Sequence, residues 1–81
     1  MDILCMTGEA PGHMDATLSH LGCVRQLRFE VARHPVGGWR ARRPGGAWGV
    51  RCHSVRTAIL LEAAEAVMDE GTEVDHDLAA D

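Results

Sequence analysis

Three short groupings in this chain hold residue types capable of chemistry: His20 with Cys23 three positions on, the adjacent pair Cys52-His53, and the adjacent pair Ser19-His20. The first two carry the imidazole and thiolate donors that zinc prefers. Neighbouring residues on a strand point to opposite faces and do not share one ion, so Cys52 reads as a small buried residue beside an exposed His53, and no metal is assigned. Ser19 and His20 are neighbours in sequence, which does not make them a nucleophile and its base. No phosphate-binding glycine loop and no Gly-x-Ser-x-Gly elbow occurs. The pattern predicts a non-enzyme with no cofactor.

The densest charge lies in "HPVGGWRARRPGGAWGVRC", residues 34–52, where two Gly-Gly pairs bracket a run of arginines. All eight basic residues of the chain are arginine. Divided into blocks, residues 1–24 carry a charge of −3, residues 25–56 carry +7 and residues 57–81 carry −8, for a net −4. Such segregation points to a charged partner, or to an acidic tail that folds back on a basic surface.

These residues must be positioned by short elements. Residues 1–14, with Gly8, Pro11 and Gly12 and no sustained period, read as a loose N-terminal arm. Residues 15–24 allow two readings: a two-turn helix capped by Asp15 and stopped by Gly22, or a strand through residues 21–24. In "QLRFEVAR", residues 26–33, Leu27, Phe29 and Val31 alternate with Arg28, Glu30 and Ala32, as in a strand with one buried face. A break at Pro35-Val36-Gly37-Gly38 precedes a second alternating run, Trp39 to Arg42. Pro44-Gly45 has the central pair of a type II turn, and a third run follows at residues 48–53.

If Leu27, Phe29, Val31, Trp39, Ala41, Trp48, Val50 and Cys52 face inward, the pleat forces Arg28, Arg40, Arg42 and Arg51 out together. That face reads either as simply solvated or as a binding surface. Ser54 then caps a helix over "VRTAILLEAAEAVMDEG", stopped by Gly71. Its polar stripe, Glu62, Glu65 and Asp69, is narrow, and the apolar remainder exceeds what one sheet covers. A homodimer is expected on that ground. The tail, residues 72–81, reads as acidic and mobile.

The expected fold is therefore α+β: a three-stranded antiparallel meander on a C-terminal helix, with a short N-terminal helix as an addition, in one domain over residues 15–71. Eighty-one residues support one small core, and 46% hydrophobic with 25% charged residues is ordinary for a folded domain. Three well-separated cysteines argue against a disulfide framework. The opening Met1-Asp2-Ile3-Leu4-Cys5 lacks a basic n-region, and no run approaches membrane-spanning length, so a cytoplasmic protein is expected.

The matches "LRFEVARHPVGGWRARRPGG" and "SVRTAILLEAAEAV" resemble the β-β-β-α pattern of HicB-type antitoxins, with their partial RNase-H-like fold. The resemblance covers about half the chain and implies a module that blocks a partner, without implying operator binding. Cys52-His53-Ser54 replaces the acidic residues usual before that family's helix. A double-stranded-RNA-binding domain is the second resemblance: Ser54-Val55-Arg56-Thr57-Ala58 keeps the serine and alanine of its last-helix signature, with one of three basic positions.

Protein binding by stoichiometric occlusion, antitoxin-like or in the manner of phage anti-CRISPR proteins, is the expected function. The contact is either the face of Arg28, Arg40, Arg42 and Arg51 or the acidic group Glu62, Glu65, Asp69, Glu70 and Glu73. Nucleic-acid binding through the arginine face is the alternative.

Overall fold

The computed structural model describes the backbone of residues 1–80 and the side chains of residues 1–68. Four strands come first: β1 (Asp2–Gly8), β2 (Gly12–His20), β3 (Cys23–Arg33) and β4 (Trp39–Arg42), followed by one helix, α1 (Val55–Ala80). The strands form a single antiparallel sheet in the order β1-β2-β3-β4. The class is α+β. Among the described residues no helix is long and apolar enough to cross a membrane.

The sheet differs from the sequence expectation at both ends. Residues 1–14, expected as a loose arm, contain β1 and the start of β2. Residues 15–20, for which a helix was one reading, lie in β2. There Met14, Ala16 and Leu18 are buried and alternate with His13, Asp15, Thr17 and Ser19. Period two wins because a strand buries all three apolar residues on one face, whereas a helix would scatter them. The cap assigned to Asp15 is a strand position instead, paired with Arg28. Residues 72–80, expected as a mobile tail, continue α1, and Gly71 lies within it rather than at its end.

Two turns are built on left-handed backbone. Leu21 and Gly22 have φ of 50° and 79°, the left-handed pair of a type I′ turn whose twist matches the flanking strands. Leucine pays a steric cost there that asparagine largely escapes, and its side chain is 88% exposed, so packing returns little. At residues 43–46 the Gly46 amide donates to the Arg43 carbonyl at 2.8 Å, with Gly45 at φ 82°. That is the type II turn expected from Pro44-Gly45.

The expected third strand over residues 48–53 does not form. Trp39 and Cys52 exchange two backbone hydrogen bonds, 2.8 and 2.7 Å, as an isolated bridge, and the Gly49 amide donates to the Ala41 carbonyl at 2.9 Å. Two steps along β4 thus face three steps along the incoming segment. The additional residue interrupts the pleat, which is why Cys52 is buried while Val50 is 68% exposed.

One core joins the two layers. Ile3, Met14, Ala16, Leu18, Phe29, Val31 and Ala41 line the sheet side, and Ala58, Ile59 and Ala63 the helix side. Phe29, Leu18 and Ile59 are fully buried, each contributing about 1.5–3 kcal/mol by area. Alanines on both layers let the helix backbone approach the sheet. α1 lies chiefly on β4 and β3, and Arg56 reaches β1 by donating to the Ile3 carbonyl at 3.3 Å. The Ser54 hydroxyl accepts the Thr57 amide at 3.1 Å, the N-cap expected for α1.

Both local features are measurable. Leu21→Asn should raise stability by about 1 kcal/mol and Ser54→Ala should lower it by about 1 kcal/mol, read as opposite shifts of the urea midpoint at constant slope. An unmoved midpoint for Leu21→Asn contradicts the assigned turn.

Candidate functional site

Outward-facing positions of β2, β3 and β4 align across the sheet, and the register decides which charges meet. Asp15 lies opposite Arg28, and His13, Glu30 and Arg42 form one row across three strands. Arg28 grips Asp15 with Nε to Oδ1 at 3.0 Å and Nη2 to Oδ2 at 3.4 Å. Arg42 brings Nε and Nη2 to Glu30 Oε2 at 2.9 and 2.8 Å, while His13 Nε2 lies 4.0 Å from Glu30 Oε1. The Arg28 hydrogen bond holds the Asp15 carboxyl below its ordinary range, with desolvation opposing it and the Arg28 charge adding to it.

The four arginines expected as one basic face are therefore not equivalent. Arg28 and Arg42 are neutralised by carboxylates on neighbouring strands. Arg51 sits on the incoming segment, donating from Nη1 to the Gly37 carbonyl at 3.3 Å. Arg40 has no carboxylate partner among the described residues, and its buried Nε has no hydrogen-bond partner.

Trp48 was expected beneath the sheet. It is found half-buried with the arginines instead: the Arg40 and Arg42 guanidinium carbons stack over its ring at 4.8 and 4.3 Å from the centroid. The interrupted pleat after β4 produces this reversal. Each such contact contributes about 0.5–1 kcal/mol at a partly exposed site. Trp39 keeps the expected side, half-buried against the core under Arg33 at 4.5 Å.

Beyond Trp48, residues 47–50 and one flank of α1 enclose an open groove of about 520 Å³. Trp48, Val50, Leu61, Ala64 and Met68 supply its apolar lining, and Glu62 and Glu65 its acid. The Glu62 carboxyl presses on Gly49, where an added Cβ would come within 2.9 Å of its Cδ and 3.1 Å of the Ala41 carbonyl oxygen. Burial first, then the charge and hydrogen bond of Glu65, push the Glu62 carboxyl above its ordinary value of 4.5. A cationic or hydrogen-bond-donating group entering the groove would relieve that pair.

The structure thus brings together residues the sequence placed in two separate surfaces: Arg40 and Arg42 on one side of Trp48, Glu62 and Glu65 on the other. Asp69, Glu70 and Glu73, the rest of the expected acidic contact, lie outside the residues whose side chains are described. Sequence reasoning missed Asp15, Glu30 and Trp48 as members of the charged face. The alternation of "HMDATLSH" was the available signal for Asp15, and Glu30 was already outward by its own strand's period. Comparison with family models, curated proteins and solved structures finds no match to this chain.

The two perturbed carboxyls give opposite pH signatures. Because Glu62 is raised in the folded state, its ionisation costs stability as pH rises from 4.5 through its folded pKa. Glu62→Gln should therefore stabilise the protein at pH 7, with the gain vanishing below pH 4.5. Asp15 is lowered, so Asp15→Asn should destabilise at neutral pH and lose that effect as pH falls below 3.8 through the folded pKa. Urea midpoints at several pH values check both, and a pH-independent Glu62→Gln effect contradicts the first.

Proposed function

We propose that this chain is a non-catalytic protein-binding regulator that occludes a partner stoichiometrically, and that the groove between residues 47–50 and α1 is its contact surface. The supporting observation is the groove itself: an apolar lining that includes Val50 and Leu61, 68% and 46% exposed, bordered by two carboxyls with no cationic partner among the described residues. Apolar area supplies affinity, and the facing carboxyls of half-buried Glu62 and exposed Glu65 disfavour occupants that bring no positive charge or donor. The fitting partner presents an apolar segment with an adjacent Arg or Lys. A nucleic-acid-processing enzyme, whose substrate channel is basic, has that chemistry. Blocking such a channel is the action of antitoxins and of phage inhibitors of host nucleases.

Direct nucleic-acid binding has less support. The Trp48 ring is already stacked with guanidinium groups, two of the outward arginines are spent on Asp15 and Glu30, and Glu62 and Glu65 stand beside the indole. A stacking platform needs a free ring face and uncompensated cations.

The test is quantitative capture from the native host's extract with three baits: wild type, the pair Glu62→Ala/Glu65→Ala, and Leu61→Asp. One protein retained near equimolar ratio by wild type and lost from both variants is the expected result. Equal retention by all three baits removes the groove from the reading. A gel shift with mixed DNA and RNA at ~50 mM salt is expected to show no retardation, and a salt-sensitive shift would move the function to the arginine side.

A further inference from the structure

β4 pairs with only one end of β3. Its register runs from Arg33 opposite Trp39 to Glu30 opposite Arg42, and Pro44, which has no amide to donate, then turns the chain away with Gly45. On its other side β3 pairs with β2 without interruption from Cys23 to Val31. Residues 23–29 therefore have one side open. Which groups face that side follows from β4: Trp39 and Ala41 bond away from the sheet, to Cys52 and Gly49, so Arg40 and Arg42 bond toward it, to Ala32 and Glu30. Continued along β3, the same alternation points the amides and carbonyls of Val24, Gln26 and Arg28 past the end of β4. None of these has a backbone partner among the described residues.

This border is a regular template. Val24, Gln26 and Arg28 are exposed, and no bulge breaks the β2–β3 register beside them, in contrast with β1. Its charge is one-sided. Arg28 is matched by Asp15, whereas Arg43, exposed and with no carboxylate within 4.0 Å among the described residues, stands at the Phe29 end with its guanidinium 5.8 Å from that ring. On the inner face, half-buried Leu27 packs against the core where the sheet stops.

We propose that residues 24–28 of β3 take an extended acidic segment of a partner protein, added antiparallel to β3 in line with β4. Main-chain hydrogen bonds to Val24, Gln26 and Arg28 hold the segment, and side chains on its two faces select it. Acidic residues fall on the outer face beside Arg28, and apolar residues on the inner face beside Leu27. A second copy laid edge to edge would gather Arg25, Arg28 and Arg43 of both chains at one seam, where like charges disfavour it. The reading is independent of the groove, which lies beyond β4.

The probe is an end-blocked heptapeptide alternating Glu and Val, titrated into the full chain and followed by amide NMR. It should bind with a dissociation constant below ~1 mM and slow exchange of the Val24, Gln26 and Arg28 amides at least ~10-fold, leaving the Gly49 amide unchanged. In this register the glutamate amides face β3 and the valine amides face away. Methylating the glutamate amides should weaken binding at least ~10-fold, methylating the valine amides should not, and Lys in place of Glu should also cost at least ~10-fold. Gln26→Pro removes the central donor of the edge but no bond to β2, and should give a folded protein by circular dichroism that does not bind the peptide. The methylated peptides carry the same test on the unaltered chain.

Absence of binding at ~1 mM, equal binding of the Lys peptide, or binding indifferent to which amides are methylated overturns the proposal. So does protection confined to β1 or to the groove, or a folded Gln26→Pro that binds like wild type. A chain that dimerises through the Val24, Gln26 and Arg28 amides gives the edge to a second copy and overturns it as well. Each of these outcomes leaves capture of a partner through the groove to be decided separately.

Discussion

The pair of hydrogen bonds between Trp39 and Cys52 sets the direction in which the chain leaves the sheet, and most of the later architecture follows from it. The contact requires close approach: a Cβ at Gly38 would lie 2.5 Å from the Cys52 carbonyl oxygen, and Gly38 has φ 83°. With Cys52 held at the edge of β4, Ser54 is placed to cap α1, and the first turns of the helix fall across the sheet onto Phe29, Val31 and Ala41. Residues 47–51 are left to bridge from the Pro44-Gly45 turn with one residue more than the pleat accommodates. That surplus turns Trp48 toward Arg40 and Arg42 and opens the groove beside α1. The site is a by-product of how the helix is tethered.

Charge that looks segregated along the chain is interleaved in space. The block with all eight arginines lies between two acidic ones, but antiparallel pairing brings Asp15 against Arg28, and Glu30 is shared between His13 and Arg42. Counting charge by segment therefore overstates the field on the sheet's outer face. What survives near the indole is local: Arg40, stacked on Trp48, and the carboxyls of Glu62 and Glu65, which share the groove with the ring. A sum over residues 25–56 cannot report which guanidinium groups remain unspent, because that depends on register, and register joins residues 12 to 17 positions apart.

The elements legible in the sequence were those with uninterrupted periods or unambiguous stops. β3 and β4, the Pro44-Gly45 turn, the Ser54 cap and the start of α1 follow from alternation, proline geometry and a hydroxyl before a helical run. Three features defeated the reading for different reasons. In β2, Asp15 and Gly22 imitate a helix cap and stop, although Met14, Ala16 and Leu18 alternate. In β1 the register slips between Ile3 and Cys5, so the apolar residues never repeat cleanly. After β4, Trp48, Val50 and Cys52 alternate as text but not in space, because the Gly49 contact to Ala41 lengthens the path. Arg40, Arg42, Glu62 and Glu65 were each identifiable as outward. That they gather around Trp48 was not, since the expected strand placed the indole on the other side.

The slip in β1 has a bearing on how the chain behaves in crowded solution. β1 is an outermost strand, and an outermost strand offers a ladder of amide and carbonyl groups on which a foreign strand can stack. At Leu4 that ladder loses its regular spacing, and the leucine side chain is turned out to solvent. A straight, in-step strand finds no continuous seam along this border. Fibrillar growth by edge addition is impeded there by geometry alone, on a protein whose border carries too few charged side chains to do it by repulsion.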